Sequence, residues 1–457
     1  MSALTWKWRA SIARKATLKR AGDVHPLTDE EFARACDEIN LNEQFAVAVS
    51  GGRDSMALAQ LAAAFVKSRG LKATAYTVDH GLRAQSAAEA RQVAEWCNLI
   101  GLRHRTLNWV GKKPTSGVQE AARNARYFLL ARAAEEDGIG AILTGHSADD
   151  VAETYLMRRE RSNSAASLAA MRSEISIAAA AGEPIRMLRP LLSVSRDELT
   201  ATVKARGQGF IDDPSNEDAS YERVRIRQRL REKGAKETTS LVADATEARG
   251  SAEKHRQFEL NLFKHTGGCF YAWGGASINA RLFAEARRDF ANAMFRRLLR
   301  AVSGEDHPPA MDATMRAAAD ILRGKTATLS GAIAAPKGDK IWVYREPAAL
   351  LGRAGVAPIL AQNLSDAKPI FWDRRFIIAA RDRSENMRVL PLGAKNKGIE
   401  KLLFYAPRMA LQSVPGIFDE TTLIAGPAPL SPWVNGINIR ALAQERFSGE
   451  IIRFSEV

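Results

Sequence analysis

Six consecutive residues, Ser50-Gly51-Gly52-Arg53-Asp54-Ser55, carry the groups needed to hold a phosphate chain. Two glycines let successive backbone N–H groups turn toward one anion, and a helix starting behind them adds the positive end of its dipole. Ser50 and Ser55 add hydroxyl donors. Arg53 belongs to the loop, but its type dictates no role. Asp54 is the informative residue, because a carboxylate repels phosphate unless it faces a cation such as Mg²⁺ or helps to position a leaving pyrophosphate. The loop has no lysine of the kind that grips β- and γ-phosphates when a γ-phosphoryl group is transferred. A loop without it, able to hold a whole pyrophosphate, suits cleavage between the α- and β-phosphates of ATP. An oxygen nucleophile would then be adenylated.

Two further groups have chemical potential. "VDHGLR" places Asp79, His80 and Arg83 together, and "TGHSADDVAET" does the same for His146, Asp149, Asp150 and Glu153. Spacings of three and four put His146, Asp150 and Glu153 near one helical face, with Asp149 beside them. Three carboxylates there suit Mg²⁺ or an ammonium group. An acidic, solvated helix start fits the same pattern, since the dipole favours acids at that end. Each histidine fits a structural hydrogen bond as well as a catalytic one. Arg123, Arg126, Arg189 and the series Arg223 to Arg231 are candidates for neutralising phosphate or an RNA backbone. A solvated basic helix accounts for the last series equally well.

The elements that must position these residues follow from the periodicity. "FAVAV", "KATAYTVDH", "RHRTLNWV" and "AILTGHS" read as strands. Helical patterns separate and follow them, one of them starting at Ser86 with Glu89 as a capping box. Strand and helix alternate four times from residue 45 to about 160, which predicts a doubly wound parallel α/β sheet. In such a sheet, ligands sit at the carboxyl ends of the strands, where the loop, Asp79-His80 and Gly145-His146 all fall. "SVSRDELTATVKARG" is a further helix, capped by Ser195 with Glu198. Residues 240–325 are mostly helical in pattern, "ATLSGAIAAPKGDKIWVYRE" looks like strands, and "ALLGRAGVAPILAQNLSD" like a linker. The expected divisions are a basic N-terminal arm and lead-in (1–44), an ATP-binding α/β domain (45–230), a mostly helical domain (231–350) and a small β-rich domain (367–457).

The bulk composition narrows the partners. The chain has 457 residues and a formal charge of +14, an excess that favours a polyanion, with nucleic acid the first candidate. Cys36, Cys97 and Cys269 are far apart in sequence, so there is no CxxC pair, and a reducing, cytoplasmic setting fits. No apolar run approaches the roughly 20 residues of a membrane span. The first twenty residues hold six Lys or Arg and no acid, which reads as a basic arm rather than a signal peptide.

The loop resembles the PP-loop of the N-type ATP pyrophosphatases. SGGxDS, VDHGLR, AARNARY, TGHxADDxAET, RPLL and DPSN stand in the order and spacing of the tRNA(Ile)-lysidine synthases within that family. The resemblance is dense over residues 45–230 and thinner beyond. It implies ATP-dependent ligation of free L-lysine to C2 of the wobble cytidine of a CAU-anticodon tRNA(Ile), through an adenylated tRNA. ATP would lie on Ser50–Ser55, with Mg²⁺ at Asp54 and Asp149. Asp149, Asp150 and Glu153 would meet metal or the lysine ammonium. One of them, or His80 or His146, would take the amine proton. Arg123, Arg126, Arg189, Arg223 and Arg227 would contact tRNA. The oligomeric state is open, with a homodimer among the options. Another PP-loop tRNA modifier and a catalytically silent tRNA-binding protein are the alternatives. The chain departs from the family pattern in a glycine-poor loop over 161–171. It also reads Arg223-Val224-Arg225-Ile226-Arg227 where an asparagine often follows the first arginine.

Overall fold

The computed structural model describes residues 24–111, 113–161, 165–169, 171–177, 183–212, 220, 222–353, 357–364, 370–380, 386–393, 406–427, 436–449 and 451–452. The basic arm up to residue 23, the DPSN motif and residues 162–164 and 170 of the glycine-poor loop lie outside these residues.

Thr28 opens α1 (Asp29–Glu38) with a complete capping box. Alternation then begins: β1 (Phe45–Ala48), α2 (Arg53–Arg69), β2 (Ala73–Asp79), α3 (Ser86–Leu99), β3 (Arg103–Asn108), α4 (Val118–Glu136), β4 (Ala141–Thr144) and α5 (Ala148–Arg159). A short turn of helix, α6 (Ala165–Leu168), precedes β5 (Glu174–Ile177), β6 (Ile185–Leu188), α7 (Arg196–Ala205), α8 (Glu222–Lys233) and the long α9 (Ala235–His265). Gly70 ends α2 in the left-handed region, at φ 64°, where a residue without Cβ is favoured.

The strands form one sheet in the order β5-β6-β4-β1-β2-β3, parallel except for β5 against β6. Phe45 and Val47 of β1 face a core with Phe32, Leu58, Leu61, Val93 and Leu199. Ala46 faces the opposite core with Tyr76, Tyr127, Leu130, Ile142 and Met187. The sheet is therefore covered on both sides, as the alternation predicts. The chain leaves β1 toward β2 on one side and later returns to β4 on the other. Their carboxyl ends thus flank the switch point at which such sheets bind ligands.

Beyond α9 come β7 (Cys269–Phe270), β8 (Ala276–Asn279), α10 (Ala280–Glu285), α11 (Arg288–Ser303), α12 (Met311–Leu322), β9 (Ala327–Leu329), β10 (Ala332–Lys337) and β11 (Lys340–Arg345). The five strands make an antiparallel sheet with α11 and α12 packed on it. Two smaller antiparallel sheets follow between residues 362 and 441. Ile451–Ile452 then returns to pair in parallel with β5.

Three details differ from the sequence reading. Ser86 does not cap α3: the N-cap is Gln85, Ser86 Oγ donates to the Arg83 carbonyl, and Glu89 pairs with Arg83 at 2.9 Å. Ser86 is already inside the helix, so its hydroxyl turns back instead of reaching forward. The helical stretch after residue 240 is interrupted by β7 and β8. Part of the expected linker, Gln362–Asn363, pairs with Met387–Pro391. No described helix is long and apolar enough to cross a membrane.

Candidate active site at the ends of β1 and β4

The loop after β1 is held from within. Ser50 N–H donates to Ser55 Oγ at 3.1 Å, and Ser55 Oγ donates to the Gly52 carbonyl at 2.8 Å. Gly52 is the N-cap of α2, so the first N–H groups of that helix lack intrahelical partners and point out of the loop. Gly51 sits at φ +86°, and a Cβ there would meet Val93 Cγ2 at 2.7 Å and Ile211 Cδ1 at 2.8 Å. Only glycine allows this turn and this close backing. Gly145, at the end of β4, is equally tight, since an added Cβ would lie 2.9 Å from the Asp54 carbonyl oxygen. This close approach brings the second motif against the first.

Arg196, the first residue of α7, joins the two motifs. Its Nε lies 3.5 Å from Asp54 Oδ2, its Nη2 3.4 Å from Asp150 Oδ1, and its Nη1 3.0 Å from Glu153 Oε1. Its backbone N–H donates to Asp149 Oδ2 at 2.7 Å. Burial works against its charge, yet Glu153, Asp150, Asp54 and Asp149 raise its pKa above the ordinary guanidinium value. Sequence reasoning missed this residue. One signal was available: a cation in the first turn of a helix opposes the dipole and needs carboxylates to hold it.

The carboxylates of α5 divide into two kinds. Glu153 is fully buried and meets three guanidiniums, with Arg227 at 2.8 Å, Arg223 at 2.7 Å and Arg196 at 3.0 Å. Asp150 is buried too. It closes a capping box with Ser147, accepting from Ser147 N at 2.9 Å, and pairs with Arg223 at 2.6 Å. Burial pushes both carboxyls upward, but the arginines outweigh it and hold both below the usual range. Asp149 is only half-buried and makes no ion pair among the described residues. Burial, aided by the charges of Glu153 and Asp150, raises its pKa. The expected group of three carboxylates thus becomes one open carboxylate, Asp149, and two that are enclosed by arginines.

Both histidines lie at the strand ends. His146 Nδ1 is 3.0 Å from Thr144 Oγ1. Burial, with Arg189 and Arg126 nearby, lowers its pKa to about 3. His80 stands edge-on to Trp109 at 5.8 Å, and burial followed by Arg126 lowers its pKa to about 4. Both are neutral at neutral pH and weak as bases.

The arginines expected at tRNA also divide. Arg223 and Arg227 of α8 turn inward to α5. Arg123 and Arg126 of α4 each lie 5.4 Å from the Tyr127 ring centroid, and Arg189 is buried after β6.

No group of three or more His, Cys, Asp or Glu among the described residues is arranged to hold a metal by protein ligands alone. Magnesium bound with a nucleotide needs only one or two carboxylates, the phosphates supplying the rest. Asp54, 20% exposed, and half-buried Asp149 are the carboxylates of the two motifs that keep exposed surface, and both contact Arg196.

The PP-loop domain model matches residues 27–233. A tRNA(Ile)-lysidine synthase of Bradyrhizobium sp. strain BTAi1 is 48% identical over 40% of this chain and 50% of its own length. The enzyme of that name from Rhodopseudomonas palustris is 38% identical over 66% of this chain and 90% of its own. The one from Brucella anthropi is 35% identical over 83% and 84%. The chain belongs to the tRNA(Ile)-lysidine synthase family. The match spans about half the length of the Bradyrhizobium sp. relative, and nearly all of the Rhodopseudomonas one.

Proposed function

We propose that the chain ligates free L-lysine to C2 of the wobble cytidine of a CAU-anticodon tRNA(Ile), consuming ATP and releasing pyrophosphate and AMP. The C2 carbonyl oxygen attacks the α-phosphate, the bond to pyrophosphate breaks, and the base is adenylated. The lysine ε-amine then attacks C2, loses its proton, and AMP departs. The observation that carries this reading is the bridge by Arg196 between Asp54 of a lysine-free phosphate loop and the acidic turn of α5. It supports a site in which the phosphate loop and the acidic turn act together, because one guanidinium contacts carboxylates of both.

Ser50, Gly51, Gly52, Arg53 and Ser55 hold the phosphates through backbone and hydroxyl donors. Asp54 and Asp149 would hold Mg²⁺, which when bound would supply positive charge against the phosphates. Of the three α5 carboxylates, Asp149 alone makes no ion pair among the described residues, so it would meet either the metal or the lysine ammonium. His80 and His146, neutral and weakly basic, orient neighbours. The domain spanning 45–230 carries the chemistry. Those spanning 231–350 and 367–457, with the basic N-terminal arm, hold the tRNA body, and the setting is the cytoplasm.

The test combines protein, ATP, lysine and the CAU-anticodon isoleucine tRNA. Lysine-dependent AMP release and incorporation of labelled lysine into the tRNA are expected. Their absence with a competent tRNA would sink the proposal. Asp54→Ala should abolish turnover while tRNA binding persists.

A further inference from the structure

The chain from Leu442 to Gly449 runs from the smaller sheets toward the catalytic sheet. It leaves the smaller sheets at Leu442, whose N–H donates to the Arg375 carbonyl at 2.8 Å. The short helix Ala443–Ser448 then lies on the five-stranded sheet and α11, with Ala443 and Phe447 buried in their core. The last carbonyls of a helix lack partners within it, and its dipole favours cations there. Arginines from separate parts of the fold supply them. Arg297 of α11 donates to the Phe447 carbonyl at 3.5 Å, and Arg256 of α9 donates to that of Ser448 at 2.6 Å. Arg172, just before β5, donates to that of Gly449 at 3.4 Å. Ile451 and Ile452 then pair with Ser176 and Ile177 of β5. Arg172 and β5 are thus held from outside the α/β domain, by a side chain and by backbone.

The same stretch holds the catalytic side. Arg189 N–H donates to the Ser173 carbonyl at 2.8 Å, and Arg189 Nη1 donates to the Arg172 carbonyl at 2.7 Å. Both the main chain and the side chain of this buried arginine therefore rest on residues 172–173. Leu188, just before it, accepts from Thr144 Oγ1 at 3.4 Å, and that hydroxyl lies 3.0 Å from His146 Nδ1. Contacts thus run without a break from Ser448 and Gly449 to the end of β4. The sequence from 161 to 177 contains no glycine, so it lacks the residues that let a loop swing, which suits a stretch kept in place.

We propose that the segment around Ser448 and Gly449 is a latch that positions the catalytic strand ends. It fixes Arg172 and β5, and through them Arg189, Leu188, Thr144 and His146. Arg256 is a positioning residue of this latch, because it makes the shortest of the three arginine contacts and belongs to α9 rather than to the catalytic sheet. The role is geometric. Neither Arg256 nor the segment belongs to the phosphate loop or to the acidic turn of α5. Opening the latch slackens the β5–β6 pair and leaves the ATP loop as it was. The effect on turnover rests on the proposed reaction, whereas the effect on β5 and β6 does not.

The experiment uses the full chain and opens the latch in two ways. Ile451→Pro/Ile452→Pro removes both N–H groups that can pair with β5. Arg256→Gln weakens the hold on Ser448 and leaves the strand alone. In each, the Arg189 amide exchanges with solvent about tenfold faster, while amides of β1 and β2 keep the wild-type rate. In the lysine assay kcat falls about tenfold, and KM for ATP and Kd for tRNA stay within about twofold, a split that general unfolding does not give. Arg256→Lys keeps a donor and restores most of kcat. Arg256→Gln added to the proline pair slows turnover no further, because both changes open one latch. Additive losses overturn the proposal, as do wild-type exchange and wild-type kcat in both variants. Weaker tRNA binding with kcat unchanged also overturns it, and makes the segment an RNA contact instead. If the proline pair does not fold, Arg256→Gln and its lysine rescue decide. If the wild type releases no lysine-dependent AMP, the reaction is wrong, and faster exchange at Arg189 in the variants still establishes the latch.

Discussion

His80 and His146 carry a consequence for stability that type alone does not show. An ordinary histidine titrates near 6.5, but burial brings these two to about 4 and about 3. Above about pH 6.5 both are neutral, folded or unfolded, and the folded state bears no penalty. As pH falls from there, the unfolded chain takes up protons first, and folding loses free energy down to the folded values. Stability is therefore complete above about pH 6.5 and falls as pH drops toward 4. The double variant His80→Gln/His146→Asn should flatten this acid limb. Melting temperatures between about pH 7 and pH 4 check it, and an unchanged slope would show that other groups dominate.

At the scale of elements, α8 is docked on α5 by charge. Arg223 and Arg227 stand one turn apart and share Glu153, which is fully buried. Arg227→Met takes away one of three cations from a desolvated carboxylate and should cost about 1–3 kcal/mol, less than the loss of a sole partner. Adding Glu153→Gln should recover part of that loss, and a double-mutant cycle by urea unfolding measures the coupling. Additive effects would mean that α8 is held by Ile226 and Leu230 rather than by its arginines. The close approach of β4 to the loop at Gly145 belongs to this scale as well. It is a backbone contact, which no side-chain substitution elsewhere can replace.

For the whole molecule, the stretch around Phe447 acts as a structural closure. Phe447 is 2% exposed and packs on Phe263 at 4.7 Å and Phe270 at 5.5 Å between ring centroids. Arg256 donates to the Ser448 carbonyl at 2.6 Å, and Ile451–Ile452 lies beside β5. Phe447, Ser448 and Ile451–Ile452 thus tie α9, the five-stranded sheet and the catalytic sheet together. Phe447→Ala should cost about 3–5 kcal/mol, read as a lower urea midpoint. A cost below about 1 kcal/mol would mean that the site collapses freely and the closure is weak.

The loop's turn was readable without a fold because its residues lie within six positions, Ser50 to Ser55, and the turn conformation is local. The same is true of the cap at Ser195 and of the strand–helix alternation, both set by neighbours in sequence. The role of each charged residue was not readable. Arg196 meets Asp54 across 142 positions, and Arg223 and Arg227 meet Glu153 across 70 and 74. In the sequence those arginines look the same as Arg126, Arg189 and Arg249, which meet no carboxylate among the described residues. What separates them is which groups are taken out of water together. A charge is settled by its partners within a few ångströms and by how much solvent it has lost, and only the packed chain determines either.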